Sequence, residues 1–116
     1  MTTLNEDLIF RAASDIILEV DHRVTFSFTE RSVEIRFPTT RRLAEYLEVQ
    51  HYYILPYFAM MEEQSLINRI ERTGISTTGE GTRKLVQLMI EEHREKLMEI
   101  LGLELLDQIQ RKVGIW

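Results

Sequence analysis

The feature that most limits the fold of this chain is a change of hydrophobic period. From Val24 the apolar residues alternate with polar ones: Val24, Phe26 and Phe28, then, after Thr29-Glu-Arg-Ser32, Val33, Ile35 and Phe37. Successive side chains of an extended strand point to opposite faces, so this pattern predicts two strands joined by a short loop, a hairpin with one apolar face. The sequence on both sides has the longer period of helices.

Ahead of the hairpin, Leu4, Leu8, Ala12, Ile16 and Val20 recur every fourth residue, with Ile9 and Ile17 widening the stripe. Thr3-x-x-Glu6 has capping-box spacing, which predicts an amphipathic helix of about five turns starting at Thr3. After Pro38, Thr39 or Thr40 caps a helix from Arg41 to about Leu47, with Leu43, Ala44 and Leu47 inward. Glu48-Val-Gln-His51 is the expected turn into a second helix, whose inner face is Ile54, Phe58 and Met61. Pro56 has no backbone N–H, so that helix is expected to start late, with Pro56 in its first turn. Ile67–Ile70 and Ile75–Thr78 then flank Glu71-Arg-Thr-Gly74, a second short hairpin in which Gly74 is available for a positive φ. Either Thr77-x-x-Glu80 or Thr78, with Gly81 in the first turn, starts the last long helix, which carries Leu85, Leu88, Met89, Leu97, Ile100 and Leu101. Gly102 ends or bends it, and Leu103, Leu106, Ile109 and Val113 continue as one more helix.

A chain of 116 residues without repeats, low-complexity tracts or linkers is expected to form a single α+β domain over 1–116. It has no cysteine, so neither a disulfide framework nor a thiolate metal site is expected. Its first residues lack a basic segment followed by an apolar run, and no apolar stretch approaches the roughly 20 residues of a membrane span, so a cytoplasmic protein without a membrane partner is expected. His22, His51 and His93 are scattered, and Glu91-Glu-His-Arg-Glu95 lacks the ligand spacing of a known metal motif. Without a nucleophile–base constellation, a phosphate-cradling glycine loop or a dinucleotide fingerprint, the expectation is a protein that is not an enzyme and uses no cofactor or metal.

Thr39-Thr-Arg-Arg-Leu-Ala-Glu-Tyr-Leu47, Met61-Glu-Glu-Gln-Ser-Leu-Ile67 and Ile75-Ser-Thr-Thr-Gly-Glu-Gly81 occur in that order. Together they resemble the winged helix-turn-helix transcription regulators of the MarR and PadR kind. In that group a Leu-Ala-x-x-Leu helix, a Leu-Glu-x-x-Gly-Leu-Ile helix exit and a Thr-x-x-Gly start to the last helix recur. The match covers about Thr39 to Leu88. Where the group usually has glycine before Leu-Ile, this chain has Ser65; its hairpin over 67–78 is short, and a full hairpin stands ahead of the motif where such domains often show one strand.

The resemblance implies a helix-turn-helix over about 39–67, a wing over about 67–78 and a C-terminal helical dimerisation segment over about 79–116. It also implies double-stranded DNA as a partner. Thr39, Thr40, Arg41 and Arg42 at a helix N-terminus, and Arg69 and Arg72 on the wing, are the candidate phosphate contacts. Gln50, His51, Tyr52, Tyr53 and Tyr57 form the tip that would face the bases. Of the residues expected to face out from that second helix, Tyr53, Pro56, Tyr57 and Met60, none is a bidentate base reader. An aromatic tip leaves three readings open: shape-based DNA contact, a protein interface, or core covered by neighbouring elements. The net charge of −5 argues against wrapping nucleic acid by bulk electrostatics. The apolar stripe of Leu97, Ile100, Leu101, Leu103, Leu105, Leu106, Ile109 and Val113 is either core against the first helix or a homodimer seam. The resemblance implies the seam, formed by Leu97, Ile100, Leu101, Leu105 and Ile109.

Overall fold

The computed structural model describes residues 4–70 and 74–115. The fold is α+β: among the described residues there are five α-helices and a four-stranded antiparallel sheet in the order β1-β2-β4-β3. Helix α1 spans Glu6–Asp15 and continues as a π-helical turn, Ile16–Val20. Strands β1 (Phe26–Phe28) and β2 (Val33–Phe37) follow, then α2 (Thr40–Leu47), α3 (His51–Glu63), β3 (Ile67–Ile70), β4 (Gly74–Thr77), α4 (Gly79–Leu101) and α5 (Leu103–Val113). Among the described residues no helix is long and apolar enough to cross a membrane.

The alternation in β2 buries Val33, Ile35 and Phe37 completely or nearly so, with α4 and α5 packed on the strand. Phe37 anchors the centre of the core. Its ring meets Phe10 edge-on at 5.2 Å and Phe58 at 6.0 Å, tying α1 and α3 to the sheet. Ile54, Phe58 and Met61 are fully buried, as the helical period of that stretch predicts. The apolar face of β1 is only half covered, and Phe28 stands exposed against Phe26.

Three sequence expectations change. Asn5 caps α1, accepting from the Leu8 N–H at 2.8 Å, while the expected cap Thr3 lies outside the described residues. Val20 is 55% exposed and Leu18 is buried in its place, because the π-turn inserts a residue and rotates the apolar stripe. Helix α3 starts at His51, so Pro56 is its sixth residue instead of lying in its first turn. The Tyr52 carbonyl thereby has no N–H four residues on; Pro56 lies on the solvent face, where water can serve that carbonyl.

Both short helices end on a left-handed residue that is not glycine. Glu48 has φ +56°, with its N–H on Glu45 and the Val49 N–H on Ala44. Ser65 has φ +59°, with its N–H on Glu62 and the Leu66 N–H on Met61. These are Schellman closures, in which a residue with positive φ lets two N–H groups reach back to orphan carbonyls. The glycine of the resembled helix exit would sit at this strained position. A side chain there costs about 1 to 2 kcal/mol in helical contexts.

The exit of α3 is clasped to the start of α4. Thr78 caps α4 by accepting from the Gly81 N–H, as the second of the two capping readings has it. Its hydroxyl donates to the Ser65 carbonyl and its N–H to the Leu66 carbonyl. Gly81 is buried against that same carbonyl: a Cβ on it would stand 1.8 Å from the Leu66 oxygen. Beneath the clasp lies a chain of buried hydroxyls. The Ile35 N–H donates to Thr77, Thr77 is 2.6 Å from Thr82, and the Thr82 hydroxyl donates to the Val33 carbonyl. The β2–β4 ladder pairs only Arg36 with Ser76 and Phe37 with Ile75, so the two threonines satisfy the next polar groups of β2 in place of backbone.

Two substitutions test this join in urea denaturation. Gly81→Ala should cost about 3 kcal/mol or more, the upper range for forcing atoms into a packed site. Ser65→Gly should stabilise by roughly 0.5 to 1 kcal/mol, the relief at positive φ less glycine's extra unfolded-state entropy.

Candidate nucleic-acid interface

The candidate residues gather around the junction of α2 and α3. Thr39 caps α2, accepting from the Arg42 N–H at 3.2 Å, and Arg41 and Arg42 occupy the first turn. The ring of His51, in the first turn of α3, is 2.6 Å from the Thr40 hydroxyl, so these two residues lock the junction together. Gln50 is exposed at the N-terminal cap of α3 without a side-chain capping bond. Tyr52 and Tyr53 are 59% and 53% exposed, their ring centres 4.5 Å apart. Their hydrogen bond raises the Tyr52 hydroxyl above its ordinary range. Tyr57 is half-buried. The solvent face of α3 continues through Pro56, Ala59 and Met60 to the carboxylate of Glu63, without a single Lys or Arg.

The arginines divide. Arg41 is exposed and, among the described residues, makes no ion pair. Arg42 grips Asp21 through both terminal nitrogens, at 2.8 and 2.7 Å. Arg69 on β3 folds back onto α3, 2.7 Å from Glu62 and 5.5 Å from the centre of the Phe58 ring. Arg72 lies outside the described residues. The sequence missed both acidic partners, which sit 21 and 7 positions away from the arginines they hold.

Asp21 is held below its ordinary value of 3.8, chiefly by the hydrogen bond from Arg42, with Arg23 and His22 adding smaller attractions. A depressed carboxylate contributes stability fully above its unfolded value and loses it as pH falls through the folded one. Both partners are well exposed, so the pair is worth under about 1 kcal/mol.

Far from this junction the structure gathers residues that the sequence leaves scattered. His93 sits in α4 with φ −138° and ψ 37°, a break in the helix. Its Nε2 is 2.6 Å from Asp15 and its Nδ1 3.3 Å from Glu19, on the π-turn side of α1. The Tyr46 hydroxyl donates to the other oxygen of Asp15, and burial together with that bond raises the tyrosine above its usual range. Asp15, Glu92 and His93 bring one possible ligand atom each within 4.8 Å of one another. The His93–Asp15 hydrogen bond, with Glu19 beside the other ring nitrogen, joins α1 and its π-turn to α4.

Comparison of the chain with protein-family models, with curated proteins and with solved structures finds no match. The functional reading therefore rests on the geometry.

The C-terminal stripe separates into two sets. Leu97 and Ile109 are fully buried inside this one chain, where α5 folds back on α4 and β2, so both are core and not available to a seam. Ile100, Leu101 and Leu105 are half-buried, and Leu103 of the same stripe is 69% exposed.

The Arg42–Asp21 pair makes a checkable prediction. Asp21→Asn should lower the urea midpoint slightly at pH 7, and by progressively less as pH falls below the ordinary carboxylate value of 3.8, where the wild-type pair is itself being lost.

Proposed function

We propose that this chain is a winged-helix domain that binds double-stranded DNA by its α2–α3 face and acts as a dimeric transcriptional regulator. The observation that carries the reading is strand order. Leaving aside β1, the elements run α1, β2, α2, α3, β3, β4, and β2 pairs with β4 rather than with its nearer neighbour in sequence, β3. In a winged helix that pairing sets a hairpin beside a helix pair whose second helix enters the major groove. Arg41 then stands at the N-terminus of α2, where backbone N–H groups also favour phosphate. Arg42 and Arg69 remain candidate phosphate contacts, because an exposed ion pair worth under about 1 kcal/mol yields readily to a phosphate. With Tyr52, Tyr53 and Met60 outermost on α3, recognition would rest on shape and thymine methyl groups rather than on a strict donor–acceptor code.

One specific observation favours a second reading, a winged helix used for protein contacts. The outer face of α3 has no cation, and it exposes Tyr52, Tyr53, Leu55 and Met60 together. Tyr and Met are enriched, and Lys and Glu depleted, at the centres of protein interfaces.

Anisotropy of a labelled random-sequence duplex separates the two. With roughly three phosphate contacts, affinity should fall about 40-fold between about 50 and about 200 mM salt, and Arg41→Ala should weaken binding and flatten that dependence. Absence of binding at the lower salt would transfer the proposal to the protein-contact reading. For the dimer, sedimentation should give twice the monomer mass, with Leu103→Glu reverting it to monomer; a monomeric wild type at high concentration contradicts the dimer.

A further inference from the structure

A cleft of about 380 Å³ opens beside the α2 N-terminus, between the end of the π-turn, the start of the first hairpin and the end of β2. Three arginines from three separate segments line it: Arg23 after the π-turn, Arg36 on β2 and Arg42 on α2. Asp21 is the one carboxylate among the lining residues, and Arg42 already holds both of its oxygens. Arg23 and Arg36 make no ion pair among the described residues. The cleft therefore carries an excess of two positive charges. Concave surfaces focus such a field, and a guanidinium presents paired donors that match the oxygens of a phosphate. Thr25 and Thr39 add hydroxyls at the wall, while Ile17 and Phe37 supply an apolar floor. The volume falls within the range of small-molecule sites and exceeds what a bare phosphate fills.

We propose that this cleft binds a small organic phosphate dianion, its phosphate held by Arg23 and Arg36 with Arg42 at the edge, and its organic part resting on Ile17 and Phe37. The site is a free-ligand site distinct from the α3 tip, and its existence does not depend on the DNA reading. Asp21 competes with the ligand for Arg42. Removing its charge frees that guanidinium and raises the excess to three.

Isothermal titration at low salt with phenyl phosphate tests the site, with inorganic phosphate and phenol as comparisons. The expected result is saturable binding of one phenyl phosphate per chain, tighter than inorganic phosphate, with none for phenol. Arg23→Gln and Arg36→Gln, both at exposed positions, should each weaken it about tenfold, the lower bound for losing a charge-assisted hydrogen bond. Asp21→Asn should tighten it, and Arg94→Gln on α4 should leave it unchanged. Circular dichroism of each variant checks that the fold is retained. Three results would overturn the proposal: no saturable binding, binding indifferent to both arginine variants, or loss of duplex affinity in those variants without any phenyl phosphate binding. The last would assign the cleft to DNA phosphate instead of a free ligand.

Discussion

The rest of the structure depends on the contact between one backbone carbonyl and one glycine. The Leu66 carbonyl accepts the Thr78 N–H, and Gly81 lies close enough to it that no side chain fits between. That approach brings the exit of α3 against the first turn of α4, and so fixes where β3 must leave and where β4 must end. Thr78 serves both sides at once, capping α4 and binding the Ser65 carbonyl. One residue further in, Thr77 and Thr82 carry the hydrogen bonding of β2 on past the end of its ladder with β4. A buried polar chain of this kind stabilises only when every member is satisfied, which makes the register of β2 against β4 specific.

From that register the candidate face follows. β2 between β1 and β4 fixes where α2 begins, because only Pro38 and Thr39 separate them. The Thr40–His51 bond then sets α3 against α2, and the buried stripe Ile54, Phe58, Met61 turns Tyr52, Tyr53 and Met60 to solvent. The exposure of the aromatic tip is thus a consequence of core packing several residues away. Its chemistry is unusual for a groove-reading helix, which is why the proposed recognition leans on shape and on cations from the neighbouring elements.

Much of the fold was legible because its signals are local. The period change from Ala12–Ile16 to Val33–Phe37, the cap at Thr78, the positive φ at Gly74 and the helix end at Gly102 each depend on a few adjacent residues. What the sequence hid was long-range or depended on backbone phase. The π-turn moved Val20 out and Leu18 in, and no periodicity argument carries a one-residue insertion. The partners of Arg42 and Arg69 and the meeting of His93 with Asp15 and Glu19 require the tertiary fold. Leu97 and Ile109 fit a seam as well as a core in sequence, because a helical stripe has the same spacing whether it faces its own chain or another.

The central claim is that the α2–α3 face is the DNA-contacting face. Backbone amide shifts in a two-dimensional nitrogen–proton spectrum, followed as duplex is added, test it most directly. The account predicts shifts centred on Arg41, Arg42, Tyr52 and Tyr53, with Arg69 on the wing following. Shifts concentrated on α4 and α5, or none on α2 and α3 under conditions where the duplex is bound, would contradict it.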